Sequence, residues 1–163
     1  MRIGYGYDVH RFKKGRKCIL CGVEIPYDFG PDGHSDADVP VHALIDALLG
    51  AAALGDIGKH FPDSGNRWKN ADSIELLKKT YDIVNSSGYA LGNADITVIT
   101  EMPKLSAYIE DMRIKISIAL NTDVKNISIK ATTEEKLGFT GDGSGIAANA
   151  VVLLVCIKPV IEV

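Results

Sequence analysis

The sequence predicts an α+β fold: a two-layer sandwich with a mixed β-sheet on one side and about three helices on the other. Three observations lead there. The length of 163 residues fits one domain, and 46% of them are apolar, enough to build a core. Strand-like runs rich in β-branched and aromatic residues are interleaved with stretches whose apolar residues recur at helical spacing. No internal repeat, low-complexity tract or linker-like segment divides the chain.

Arg2 to Phe12 reads as the first strand, and Lys17 to Ile25 as a second after a Lys13-Lys14-Gly15 turn. Tyr27 to Asp38 is a loop rich in Gly, Asp and Pro. Asp38 is placed to cap a helix that has Pro40 in its first turn and runs to about Leu54, before Gly55. Val41, Leu44, Ile45, Leu48, Leu49 and Ala52 define one buried stripe on it, with His42 and Asp46 along the edge. Asp56 to Asn70 is a second loop. Asp72 and Glu75 have the spacing of a capping box, opening a helix with Ile74, Leu77, Tyr81 and Val84 inward and Gly88 just past its end. Ala94 to Thr100 is a strand, and from Pro103 a helix runs to about Leu120 through Leu105, Ile109, Met112 and Ile116. Ile127 to Thr133 is the next strand, and a glycine loop, Gly138 to Gly145, leads into the closing strand Ala147 to Ile157.

Charge and composition exclude several classes. With 18 basic against 21 acidic residues the formal charge is −3, so no global field draws the chain to nucleic acid or anionic lipid. Anionic ligands need a local site. The longest apolar stretches, Val41 to Leu54 and Ile146 to Ile157, are broken by Asp46 and Asn149 and fall short of the roughly 20 residues that span a bilayer. The start, Met1-Arg2-Ile3-Gly4-Tyr5, lacks secretory signal features, and the expectation is a cytoplasmic chain. The three cysteines, Cys18, Cys21 and Cys156, are an odd count that argues for a reducing compartment. Cys18 and Cys21 have zinc or redox spacing, but they lack a second pair and sit in a strand-like run, so they read as ordinary buried thiols.

Asp8 and His10 carry the first chemical signal. Positions i and i+2 of a strand face the same way, with Cα atoms about 6 to 7 Å apart, so both can reach one metal ion. His42 supplies a third ligand if its helix packs over the first strand, and one carboxylate with two imidazoles suits zinc with an open position. Alternatively, both histidines are surface or helix-edge residues. Asp46, one turn beyond His42, either orients that imidazole or is an exposed helix carboxylate. His34-Ser35-Asp36 precedes a helix start, where free N–H groups favour phosphate; His34 either donates there or caps a turn. Thr132-Thr133-Glu134-Glu135 ends a strand, as metal–phosphate partners often do and as polar strand exits also do. Gly141-Asp142-Gly143-Ser144-Gly145 is not a P-loop, and Gly4-Tyr5-Gly6 is not a dinucleotide fingerprint.

Taken together, Gly4-Tyr5-Gly6-Tyr7-Asp8-Val9-His10, Gly33-His34-Ser35-Asp36-Ala37-Asp38, His42 to Ala52, Gly55-Asp56-Ile57-Gly58-Lys59-His60-Phe61-Pro62-Asp63 and Glu135-Lys136-Leu137-Gly138-Phe139-Thr140-Gly141 resemble the 2-C-methyl-D-erythritol 2,4-cyclodiphosphate synthase family of the non-mevalonate isoprenoid pathway. The likeness runs from Met1 to the last strand. It implies a homotrimer with active sites at subunit interfaces. The implied substrate is 4-diphosphocytidyl-2-C-methyl-D-erythritol 2-phosphate, cyclised by a phosphorus–oxygen lyase reaction that releases CMP. By the same resemblance Asp8, His10 and His42 hold zinc or another divalent transition metal, and Glu135 holds magnesium or manganese on the substrate diphosphate. His34 and Thr133 are implied to stabilise the transition state, which asks mainly for charge neutralisation and positioning.

Substrate contacts map, beside Asp8, His10, His34 and Ser35, to Asp56, Ile57, Gly58 and the run Phe61, Pro62, Asp63, Ser64, Gly65. The cytidine pocket, from a neighbouring subunit, maps to Thr100, Glu101, Met102, Pro103, Lys104, Leu105 and Ser106, with Ala131, Thr132, Thr133, Glu134 and Glu135; Phe139 and Asp142 complete the set. Three positions depart from the family pattern: Gly65 stands where an aspartate is usual, Asp142 where an arginine is usual, and Cys21 where a glycine is usual. The charge reversal at Asp142 implies weak binding of any isoprenoid diphosphate in a threefold cavity. Two competing readings are a zinc phosphoesterase, in which metal-bound water attacks phosphate, and a non-catalytic trimeric nucleotide- or isoprenoid-binding regulator. The two-metal residue set speaks against the second. Neither a nucleic acid nor a membrane partner is expected.

Overall fold

The computed structural model describes residues 1–62, 68 and 71–157. The strand β1 (Arg2–Lys14) is followed by a hairpin, β2 (Cys18–Leu20) and β3 (Val23–Ile25), and by β4 (Phe29–Pro31). Helices α1 (Val39–Ala51), α2 (Ile57–His60) and α3 (Ser73–Ser86) come next, then β5 (Tyr89–Ile99), α4 (Ile109–Ala119) and β6 (Ile127–Thr132). The short helix α5 (Gly138–Gly141) precedes β7 (Gly145–Cys156). One five-stranded sheet has the order β4-β1-β7-β5-β6. Only the β5–β6 pair is parallel, so the sheet is mixed as expected.

The expectation of about three helices is corrected to five among the described residues. α2 and α5 are single turns of four residues, too short to show a helical period in the sequence, and they lie inside stretches read as the Asp56 and Gly138 loops. The strand read over Lys17 to Ile25 is a hairpin. Its turn places Cys21 and Gly22 at φ of +50° and +73°, a bend that β-propensity conceals. β4 pairs with β1 inside the segment read as a loop, and the helix expected from Pro103 begins at Ile109. Asp72 caps α3 by accepting from the Ile74 N–H at 2.8 Å, but Glu75 pairs with Lys78 rather than completing the box.

The core lies between the sheet and α1. Every residue of the predicted α1 stripe is buried, yet so are Ala43, Ala47 and Ala51 on another side, so a single stripe understates the helix's burial. The reason lies in β1. A Cβ added to Gly4 would stand 1.9 Å from the Ala47 carbonyl oxygen, and one added to Gly6 would stand 1.9 Å from that of Ala43. Helix and strand touch backbone to backbone, which only glycine on the strand and alanine on the helix allow. Gly4, Gly6, Asp8 and His10 share that face of β1, by the two-residue repeat. The opposite face of β1 is exposed and apolar: Ile3, Tyr5, Tyr7 and Val9, with Val151 beside them on β7. No helix among the described residues is long and apolar enough to cross a membrane.

Candidate metal centre and phosphate site

The close contact between β1 and α1 sets His42 over Asp8 and His10. His42 Nδ1 lies 3.1 Å from Asp8 Oδ2, and His10 Nε2 lies 3.4 Å from the same oxygen. One ligand atom from each residue falls within 4.8 Å of the others, and among the described residues this is the one such cluster. The imidazole centroids are 5.9 Å apart, with the rings inclined at 63°. The donor set suits a divalent transition metal: one hard oxygen and two borderline nitrogens, half-buried and converging on one point.

Electrostatics keep the cluster ready for a cation. Burial works against ionisation of Asp8, but the hydrogen bonds and charges of His10 and His42 prevail and hold its carboxyl well below the usual carboxylate range. The hydrogen bond to Asp8 raises His10 above the ordinary imidazole value, against its own desolvation. His10 Nδ1 sits 2.6 Å from the Asp32 carbonyl, so it donates there and leaves Nε2 to face Asp8, as a donor when the ring is protonated and as a lone pair when it is neutral. Gly33 makes room for that: a Cβ there would lie 2.9 Å from His10 Cε1. Arg16 pins the same loop, donating to the Ser35 carbonyl at 2.9 Å.

A cleft of about 210 Å³ opens beside the cluster, lined by Asp8, His10, Gly33, His34, Ser35, His42, Ile57, Gly58, Phe61, Trp68 and Leu76. The structure thus gathers His34, Ser35, Ile57, Gly58 and Phe61 around the three ligands. Trp68, edge-on to Phe61 with centroids 5.1 Å apart, adds an aromatic wall that no motif signalled. Asp56 caps α2, accepting from the Lys59 N–H at 2.9 Å, and Pro62, next after Phe61, is exposed. Asp63, Ser64 and Gly65 lie outside the described residues.

Two readings of this region change. Asp46 neither orients His42 nor hangs in solvent: its Oδ1 accepts from the Ile57 N–H at 2.7 Å, tying the cleft loop to α1. The α1 N-terminus is not open to phosphate, because the buried Asp38 carboxylate occupies it, accepting from Val41 at 3.3 Å and from Cys21 and Gly22 at 2.8 and 2.7 Å. Burial pushes Asp38 up to about 7. Burial also pushes the Cys18 thiol up to about 12 and Cys21 well above its usual value, which makes both poor nucleophiles, as the ordinary-thiol reading has it.

A second recess, also about 210 Å³, is lined by Thr100, Pro103, Lys104, Leu105, Ser106, Ala131, Thr132 and Thr133. It lies at the parallel β5–β6 ends rather than at the metal cluster. Thr100 donates to the Met102 carbonyl at 2.5 Å, and Lys104 to that of Glu101 at 3.2 Å. Thr133 donates to Glu135 at 2.7 Å. Glu135 and Lys136 follow with φ of +52° and +67°, left-handed conformations costly to residues with side chains. Gly141 packs on that bend, since a Cβ there would stand 2.4 Å from the Lys136 carbonyl carbon. Glu134 accepts from Thr140, while Phe139 and Asp142 are exposed, the latter accepting from the Ser144 N–H at 2.8 Å.

Fold and site define a class: an α+β chain with a carboxylate–bis-imidazole centre fit for a divalent metal and a separate polar recess at the sheet's end. A family model, the YgbB family, matches residues 1–155. The 2-C-methyl-D-erythritol 2,4-cyclodiphosphate synthase of Clostridioides difficile is 58% identical over 154 residues, 94% of this chain and 96% of that protein. The protein of the same name from Clostridium beijerinckii is 59% identical over 151 residues, covering 93% and 96%. Among solved structures, the bifunctional IspDF of Campylobacter jejuni superposes with a TM-score of 0.93 at 45% identity, matching 96% of this chain, which spans 42% of that longer one. The CDP complex of Plasmodium falciparum IspF gives 0.84 at 35% identity, covering 96% and 97%. The chain belongs to the YgbB family of 2-C-methyl-D-erythritol 2,4-cyclodiphosphate synthase enzymes.

Proposed function

We propose that this chain converts 4-diphosphocytidyl-2-C-methyl-D-erythritol 2-phosphate to 2-C-methyl-D-erythritol 2,4-cyclodiphosphate and CMP, as a phosphorus–oxygen lyase. An oxygen of the 2-phosphate bonds to the β-phosphorus, and the bond from that phosphorus to the bridging oxygen breaks. CMP leaves with the electron pair. Both partners are anionic, so the barrier is one of bringing like charges together and neutralising them.

A divalent transition metal, zinc by its donor set, would be held by Asp8, His10 and His42, and magnesium or manganese by Glu135; bound, they supply positive charge to the phosphates. The chain's own side chains do the remainder. His34, at the rim of the first cleft, and Thr133, at the rim of the recess, donate to phosphate oxygens as charge develops. Ile57, Gly58 and Phe61 enclose the erythritol phosphate, with Asp56 and Pro62 next to them in the chain. Thr100 to Ser106 and Ala131 to Glu135 receive the cytidine diphosphate, with Lys104 as a partner for its phosphates.

The observation that carries this reading is the convergence of Asp8, His10 and His42 in a cleft that also contains His34 and Ser35. A homotrimer fits the reading in two ways. It would cover the exposed apolar face of Ile3, Tyr5, Tyr7 and Val9, and it would bring one subunit's recess to its neighbour's metal cleft. The chain would act as one domain over residues 1–163.

The test is product analysis with the purified protein. Cyclic diphosphate and CMP should appear in equal amounts, should cease on chelation, and should return on adding zinc with magnesium. Inorganic phosphate as the product would mark a phosphoesterase. Binding of CDP without turnover would mark a regulator, and full turnover by His42→Ala would overturn the metal-dependent reading.

A further inference from the structure

The imidazole of His42 is held from behind by a chain whose buried member, Ser73, no sequence motif announced. Its Nδ1 faces Asp8, while its Nε2 lies 2.9 Å from Ser73 Oγ and 3.3 Å from Ser35 Oγ. Ser73 is the first residue of α3 and is wholly buried. Its hydroxyl bonds Asp36 Oδ1, and its backbone N–H donates to Asp36 Oδ2 at 3.0 Å. A carboxylate only accepts, so the single Ser73 proton is committed to Asp36. Ser73 Oγ therefore has only lone pairs left for His42. Ser35 Oγ accepts from the Ala37 N–H at 3.0 Å and keeps its own proton and one lone pair, so it can meet either state of Nε2, and the direction is set by Ser73.

We propose that Asp36 and Ser73 are positioning residues that hold the neutral His42 ring as the Nε2–H tautomer, against the pull of the Asp8 carboxylate on an Nδ1 proton, which aims the Nδ1 lone pair at the point shared with Asp8 and His10. The proposal rests on the reading of those three residues as a metal centre. The physics is that of an outer partner bonded to a ligating imidazole: it selects the tautomer, locks the ring angle and raises the ligand's basicity. The three residues come from different places, the loop before α1, α1 itself and the first turn of α3. The relay therefore also fastens α3 to the site. His10 has the equivalent support from the Asp32 carbonyl, so each imidazole ligand is backed by an acceptor of its own.

The experiment reads the tautomer first and the metal second. Long-range proton–nitrogen NMR on the metal-free, full-length protein at mildly alkaline pH should show neutral His42 with its proton on Nε2. Ser73→Ala should turn that signature into a mixture, and Asp36→Asn should do the same, both with wild-type backbone spectra. Zinc affinity, measured by competition with a chromophoric chelator, should fall about 10- to 100-fold in each variant. The proposal is overturned if wild-type His42 carries its proton on Nδ1, or if Ser73→Ala keeps both the signature and the affinity. Failure of the wild-type chain to bind zinc while the Nε2–H signature holds would overturn the metal-centre reading instead, and the tautomer assignment would stand on the spectrum.

Discussion

A Cβ on Gly6 would lie 1.9 Å from the carbonyl oxygen of Ala43, the residue beside His42. The closeness of β1 and α1 is thus fixed at the point where Asp8, His10 and His42 converge. Gly6→Ala forces backbone apart and should lower stability by about 3 kcal/mol, read from urea midpoints, with weakened zinc binding. Gly50→Ala is the control. Its nearest neighbour would be 4.0 Å away, so the same substitution in the helix should stabilise by about 0.5 to 1 kcal/mol. Equal effects at the two sites would refute the close-contact argument.

The titrating groups set a pH profile for the metal-free protein. Asp8 is held below its ordinary value of 3.8, so its contribution is present above that pH and is lost as pH falls. His10 is raised above 6.5, so its contribution is full below that pH and is lost as pH rises through the raised value. Asp38, pushed up to about 7, also costs stability as pH climbs from 3.8 toward neutrality. Stability should therefore peak on the acid side of neutrality and decline through it. A urea-unfolding series that climbs steadily from about pH 5 to about pH 8 would contradict this.

Asp46 holds the Ile57 N–H, so it serves the cleft loop and not the metal ligand. Asp46→Ala should cost about 1 to 2 kcal/mol and raise KM, with zinc affinity unchanged. Chelator competition alongside steady-state kinetics separates the two roles, and a tenfold loss of zinc affinity would restore the orienting role.

Asp142 is exposed, and its carboxylate accepts from the Ser144 N–H and is held below its ordinary value by that serine. In the proposed trimer it would place negative charge where an anionic ligand of the threefold cavity needs a cation. Farnesyl diphosphate should bind weakly, and Asp142→Arg should tighten it at least tenfold by calorimetry; tight binding to the wild type would sink the inference.

Much of the site was legible because its residues lie in short local patterns. Asp8 and His10 share a strand face at any register, and His42 follows a helix start that Asp38 and Pro40 mark plainly. The one-turn helices α2 and α5 were not legible, since four residues display no period. Ser73 was hidden behind its neighbour: Asp72 explained the helix cap, so nothing in the local pattern asked for a role at the next position. Asp46 could be placed beside His42 on α1, but a helical spacing says nothing about a backbone N–H eleven residues away.

By itself the sequence determined which groups could meet: the alternation of β1 puts Gly4, Gly6, Asp8 and His10 on one face, and the apolar pattern of α1 demands burial. Only the tertiary structure decided that they do meet, and in what state. Tautomer, pKa and ligand convergence depend on atoms distant in the chain, such as Ser73, Asp36 and the Asp32 carbonyl, brought within hydrogen-bond range by packing. Local sequence encodes the periodicity of a segment; the electrostatics of a site are a property of what surrounds it.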